Sequence, residues 1–416
     1  MKRFIIIILL MPLTLLAAQY TLDDLIQYGL NNSWTMQRTE LNYQISESQL
    51  SSSKWNLLPD ASVGLSFENN LYHRIVPPVS DLSGRLGFTI SKTISINDPA
   101  WFNYKYASLD NSRAKLQAER SAGTYAYQVF GAYLEVLSAG KQLASLTENL
   151  GIQTRVWEQG KVLLQLGKTT PFDVKQNEIA VMNSRILIIQ LENTIATNRA
   201  RLFGLVQMTD EGFELADLEP NPTFALPVLD TEEIGEVKIL EADIKRSELG
   251  LTQDFRDYFP RVSLAYNFAR NIGGENFNFD KYSTSHTVSL NLSYSLWNQF
   301  KQHQIHKRSR ISNRLAEISL LDKKDEIKRQ YNITAQELAY QNRLNELYGE
   351  KLEQSREQIR IAEERYRLGL IQLLELDKTR TDYIDANIAY HTNRYQIIAK
   401  QEALNYLLSN KILGKW

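Results

Sequence analysis

Leu58-Pro59-Asp60-Ala61-Ser62-Val63-Gly64-Leu65-Ser66-Phe67 returns 201 positions later as Phe259-Pro260-Arg261-Val262-Ser263-Leu264-Ala265-Tyr266-Asn267-Phe268. Both stretches set a proline before a run that alternates apolar and small polar residues, the pattern of a strand with two unlike faces. Two more runs alternate in the same way. Leu86, Phe88 and Ile90 oppose Arg85, Gly87, Thr89 and Ser91, and Val288, Leu290, Leu292, Tyr294 and Leu296 oppose Thr287, Ser289, Asn291, Ser293 and Ser295. Strands are expected over about 60–69, 84–96, 260–270 and 285–297. Runs of about ten residues with one apolar face suit a membrane barrel, and a soluble sandwich gives the same alternation.

The repeat extends outward from the strands. Val129, Val136, Leu143, Leu150, Trp157 and Leu164 recur every seven residues, and after a turn Val174, Val181, Ile188, Ile195 and Leu202 do the same. Shifted by 202, these become Tyr331, Leu338, Asn345, Leu352, Ile359 and Tyr366, then Leu376, Tyr383, Tyr390, Ile397 and Leu404. A stripe of this period means helices packed side by side as in coiled coils. The first long helix, if continuous over about 100–166, would extend roughly 100 Å, with Gly123, Gly131, Gly140, Gly151 and Gly160 as places where it could bend. Each half reads helix, strand, strand, long helical hairpin: 19–208 first, then a Pro-rich linker over 209–230, then 231–416.

Composition removes several alternatives. Lys+Arg 47 against Asp+Glu 48 leaves a net charge of −1, unlike the basic balance of a nucleic-acid binder. The chain has no cysteine, which excludes disulfides, thiolate metal sites and a lipid-anchored N-terminus. There is no P-loop, GxSxG, HExxH or dinucleotide fingerprint, so no enzyme and no cofactor is expected. His303 and His306 stand at ligand-like spacing but lack an evident third ligand, and a solvated basic face with Lys301, Lys307 and Arg308 is the plainer reading. No metal is expected.

Residues 1–18, MKRFIIIILLMPLTLLAA, have the basic start, apolar middle and small end of a secretory signal. No later run reaches the roughly 20 apolar residues of a membrane helix. The mature chain is therefore expected outside the cytoplasm, either soluble or spanning a membrane as strands. Trp55, Tyr258, Phe259, Trp297, Phe300, Trp101 and Phe102 gather at the strand ends nearest the helices, where an interfacial belt in membrane lipid would put them. Lys92 interrupts the apolar face of the second strand near its end, as a snorkelling cation would. Four strands cannot close a barrel, so a barrel reading requires an oligomer.

Two short turns join the long helices, over 166–173 and 367–375. Gly167 and Gly369 suit the left-handed position after a helix. Thr170, Pro171 and Asp173 suit an N-cap, a first helical residue and a capping-box acid, whereas the second turn offers only Gln372 as cap. Leu370, Ile371, Leu373 and Leu374 crowd the second tip, which asks for a cover: neighbouring helices of an oligomer or a partner protein.

Together the two-fold repeat, Leu58-Pro59 and Phe259-Pro260 before strands, Ser295-Leu296-Trp297-Asn298 and the two tips resemble the TolC-like outer membrane efflux proteins over the mature chain. The resemblance implies an α+β membrane protein: a homotrimer with a 12-strand barrel in outer-membrane lipid on a 12-helix periplasmic tunnel. It implies a passive efflux or secretion duct for small molecules or polypeptides. It also implies docking of a periplasmic adaptor, with an inner-membrane transporter behind, at Leu166, Gly167, Lys168, Thr169, Arg367, Leu368, Gly369, Leu370 and Ile371. Family members close the periplasmic end with acids just after the second tip. Glu375 matches the first of these; one turn on stands Lys378, with Asp377 beside it, a departure from that pattern. The competing reading is a soluble periplasmic coiled-coil structural or adaptor protein.

Overall fold

The computed structural model describes residues 19–69, 82–273 and 282–412; the signal segment at 1–18 lies outside them. The chain order is α1 (Leu22–Asn32), α2 (Trp34–Trp55), β1 (Asp60–Asn69), β2 (Leu82–Thr93), α3 (Pro99–Gln165), α4 (Pro171–Val206), α5 (Gly235–Arg256), β3 (Arg261–Gly273), β4 (Tyr282–Ser293), α6 (Asn298–Arg367) and α7 (Leu373–Leu407). Its contacts divide it into two compact units. One holds residues up to 38, 120–234 and 326 onward; the other holds 39–119 and 235–325.

The first unit is built on the seven-residue stripe. Val129, Val136, Leu338, Leu352, Ile359, Tyr366, Leu376, Tyr383, Ile397 and Leu404 are all buried. Polar layers interrupt the stripe. Asn387 donates to Ser145 at 3.1 Å, Ser184 to Gln153 at 2.7 Å, and Asn393 to the Gln341 carbonyl at 3.0 Å. Buried polar pairs of this kind tolerate only one register of helix against helix. The glycines of α3 do not break it: the helix runs over 67 residues without interruption.

The linker is fastened to these helices by side chains. The Tyr133 hydroxyl donates to the Ala216 carbonyl, and Tyr20 pairs with the same segment as a short parallel bridge at Leu215. Asp217 accepts from Lys141 of α3 at 2.8 Å and from the Tyr395 hydroxyl of α7 at 2.7 Å. The Gln401 amide donates to the Asn221 carbonyl and accepts from the Asn221 N–H, imitating a backbone pair. An irregular chain that lacks its own ladder thus has its polar groups met by the helices it crosses.

The second unit contains one antiparallel sheet of four strands in the order β1-β2-β3-β4. The first two strands pair Leu65 with Leu86, the middle pair sets Phe88 against Phe268, and the last sets Leu264 against Leu290. Because side chains alternate along each strand, this register gathers the apolar residues of all four strands on one face. The opposite face carries Ser62, Gly64 and Ser66, then Thr89 and Ser91, then Ser263, Ala265 and Asn267, then Ser289 and Asn291.

Three details differ from the sequence expectation. The helix before β1 is two helices, because Ser33 ends α1 and its hydroxyl accepts from the Met36 N–H of α2. Strands β2 and β4 end at Thr93 and Ser293, although the apolar alternation runs on through Ile96 and Leu296. The backbone turns there: Asp98 N–H bonds the Ser95 carbonyl, and Gln299 N–H bonds the Leu296 carbonyl, so the last residues of the pattern belong to the turn into the next helix. Phe102 is fully buried and packs edge-on against Trp101 at 4.9 Å, so it is a core residue rather than part of a belt.

Candidate functional sites: the helical tips and the sheet

At the first tip α3 ends in a Schellman arrangement. Lys168 N–H bonds the Leu163 carbonyl at 2.8 Å and Gly167 N–H bonds the Leu164 carbonyl at 3.0 Å. At the second, Leu370 N–H bonds the Arg365 carbonyl and Gly369 N–H the Tyr366 carbonyl, each at 2.9 Å. Both glycines have positive φ, +69° and +72°, and a β-carbon at either would meet open space. The left-handed backbone, not crowding, is what requires glycine here.

The two tips then start their second helices differently. Thr170 and Asp173 form a complete capping box, and the Thr169 hydroxyl adds a third donor to the same carboxylate. These donors, the Thr170 hydroxyl foremost, hold the Asp173 carboxyl below the usual range. Gln372 makes no side-chain cap bond. In its place α7 begins with apolar contacts: Leu373 and Leu376 are buried beside Tyr366, Ile359 and Val156. Outward from that cluster, Leu166, Leu368, Leu370, Phe172 and Leu374 are all exposed.

Of the three residues expected at the constriction, Glu375 and Lys378 are exposed. Asp377 is half-buried and bonded to Arg380 at 2.6 Å. Burial pushes the Asp377 carboxyl up while Arg380 pulls it back, and burial presses the Arg380 guanidinium down. Arg380 and Asn177, both buried beside Tyr366, are residues that motif reading passed over. The signal for Arg380 was its spacing, since Leu373, Leu376, Arg380 and Tyr383 share the buried side of α7. Gly160 approaches Asn177, whose Nδ2 would stand 3.2 Å from an added β-carbon, so α3 and α4 are in close contact there.

The sheet presents its apolar face openly. Val63, Leu65, Phe67, Val288, Leu290 and Leu292 are all more than half exposed. No further strand covers the outer edges of β1 and β4 among the described residues. Trp55, Trp297 and Phe300 are exposed near the helical ends of the strands. Among the described residues no helix is long and apolar enough to cross a membrane, and no group of three His, Asp or Glu could hold a metal ion. The His306 Nδ1 is buried without a hydrogen-bond partner among the described residues.

Comparison with known proteins agrees with this geometry. Residues 238–410 match the family model described as outer membrane efflux protein. No curated protein matches the chain. Among solved structures, the outer-membrane channel OprN superposes with a TM-score of 0.83 at 16% identity, covering 94% of this chain and 90% of that one. The outer membrane protein VceC of Vibrio cholerae gives 0.82 at 13% identity, covering 94% and 96%. The open state of the MtrE outer membrane channel of Neisseria gonorrhoeae gives 0.80 at 13%, covering 95% and 90%. Residues 238–410 are thus similar to the outer membrane efflux protein family, and the chain as a whole has the fold of these outer-membrane channels.

Proposed function

We propose that the protein is the outer-membrane exit duct of a tripartite export system. Three chains close a barrel in outer-membrane lipid, and their helices form a periplasmic tunnel. A periplasmic adaptor docks on the tips, with an inner-membrane transporter behind it. The duct is passive and performs no chemistry; it conducts small molecules or polypeptides.

The observation that carries this reading is the sheet. Its four strands end in two open edges among the described residues, and one face is largely apolar and most exposed along its outer strands. In water such a surface invites aggregation; in lipid, with neighbours pairing the edges, both liabilities vanish. The face of serine, glycine, threonine and asparagine side chains suits a wet lumen. The exposed leucines at the tips supply an apolar surface for a partner.

The test is fractionation followed by conductance. The mature protein should leave cells only with detergent-extracted outer membrane, behave as three chains, and open ion-conducting pores in planar bilayers. Recovery in the detergent-free periplasmic fraction, or a monomer that keeps its strand signal, would defeat the proposal.

A further inference from the structure

The apolar face of the sheet carries two cations, and they are met in different ways. On β2, Lys92 stands opposite Leu264 of β3. Its Nζ lies 3.5 Å from the Asn56 carbonyl and 3.7 Å from the Asp98 carboxylate. The chain itself therefore answers the Lys92 charge, at the helical end of the strands. Arg270 lies six residues further along β3, opposite Leu86 of β2 and Thr284 of β4. Its guanidinium stacks over the Tyr282 ring, 3.7 Å from the centroid, and no carboxylate among the described residues pairs with it. Stacking uses the flat face of a guanidinium and leaves the N–H edge for an acceptor that offers two oxygens, as a carboxylate or a phosphate does.

Between these cations the face is apolar. One row is Ala61, Ile90, Tyr266 and Val288; the next is Val63, Phe88, Phe268 and His286. The imidazole in the second row is tied down within the face, since its Nδ1 shares a hydrogen bond with the Tyr266 hydroxyl at 2.8 Å. Six residues of strand rise ~20 Å. At the tilt of a membrane barrel that is ~15 Å along the bilayer normal. With each long side chain reaching ~5 Å outward, the charges stand ~25 Å apart, the height of an outer-membrane apolar band.

The geometry points to Arg270 as the seat of an anionic lipid headgroup phosphate at the strand end away from the helices, with Lys92 marking the opposite limit of the apolar band. This rests on the outer-membrane reading of the sheet. The occupant is a lipid rather than free phosphate, because Arg270 rises from an apolar surface where only an acyl-bearing anion gains both contacts. Tyr282 beneath it is the amphipathic ring expected at a headgroup boundary.

The experiment uses the full mature protein in nanodiscs of phosphatidylcholine containing a minor fraction of lipid A. Quenching of a Phe88→Trp reporter by brominated lipid, beyond that of the parent protein, tests whether the face meets lipid at all. Native mass spectrometry then counts retained lipid A. The wild type and Lys92→Gln should retain it equally, while Arg270→Gln should lose at least about half and Arg270→Lys less. Millimolar inorganic phosphate should displace none. No quenching of the Phe88→Trp reporter overturns the membrane reading together with this site. Quenching with undiminished lipid A on Arg270→Gln overturns the site alone, as does displacement by inorganic phosphate.

Discussion

The Arg380 guanidinium donates to the Asp377 carboxylate at 2.6 Å, one turn back on the same helix, while its Nε and Nη2 are buried with no acceptor among the described residues. The side chain is only 3% exposed. The pair therefore ties no two helices together, yet it is the hydrogen-bonded neutralising contact of a cation set among Tyr366, Leu376 and Tyr383, with the Glu363 carboxylate adding a weaker attraction.

Removing one member leaves the other charge stranded. Asp377→Asn should cost about 2–4 kcal/mol, below the upper range for fully buried pairs because Asp377 keeps some water. Replacing both, as Asp377→Leu with Arg380→Met, should recover most of that loss, since apolar groups of similar volume leave nothing unpaired. Thermal unfolding of the wild type, Asp377→Asn and the double variant in detergent checks the claim. Equal melting temperatures for Asp377→Asn and the wild type would show that the arginine has another partner.

The tip glycines give a separable prediction. Gly167→Ala and Gly369→Ala should each lose about 1 kcal/mol, because an L residue is strained at φ near +70° even with open space around its β-carbon. Gly64→Ala on β1 also meets open space, but its φ is not positive, so it should cost nothing comparable. Hydrogen exchange of Lys168 and Leu370, whose N–H groups close the two caps, should quicken only in the matching tip variant.

What the sequence disclosed follows from physics that is local or periodic. The seven-residue spacing placed Val129, Leu338, Leu376 and Leu404 in the core, because a helix of that period can hide only one stripe. Alternation placed Leu65, Leu86, Phe268 and Leu290 on strands, and the observed register puts the apolar residues on one face. Strand ends were not legible, because Ile96 and Leu296 continue the alternation after strand pairing has ended. The break at Ser33 was hidden because a serine suits a cap and a helix surface alike. Arg380 was legible by position and obscured by identity: its spacing is that of a core residue and its charge is that of a surface one.

Acid should loosen the first tip before the second. The Thr170 hydroxyl and N–H hold the Asp173 carboxyl below its ordinary value. A group whose folded pKa is depressed contributes stability above its unfolded pKa of about 3.9 and loses it as pH falls through the folded value. The wild type should exceed Asp173→Ala by ~1 kcal/mol near pH 7, and the gap should narrow only below about pH 4. Burial pushes Asp377 the opposite way, but that group is common to both proteins and cancels in the difference. A gap that stays constant down to pH 3 would mean that the carboxylate charge contributes nothing to the cap.

The last prediction concerns Glu375. Its carboxylate is exposed in the first turn of α7, where the N-cap Gln372 makes no side-chain bond. Glu375 N–H reaches only the Gln372 carbonyl, so there is no reciprocal box to which the acid could belong. Dipole stabilisation at an exposed site is worth about 0.3–1 kcal/mol, and its removal should move the melting temperature little. In a closed trimer, threefold symmetry would bring three such carboxylates toward one axis, where like charges at a narrow mouth repel and attract cations. Glu375→Ala should therefore change single-channel conductance or weaken block by divalent cations while trimer stability stays nearly constant. Lys378 lies three residues on and is also exposed, so each copy of the acid has a cation of its own chain on the same helix. Lys378→Ala should strengthen divalent block, in the opposite sense to Glu375→Ala. If both substitutions leave conductance and block unchanged, the mouth is set by helix packing alone and Glu375 serves only the helix terminus.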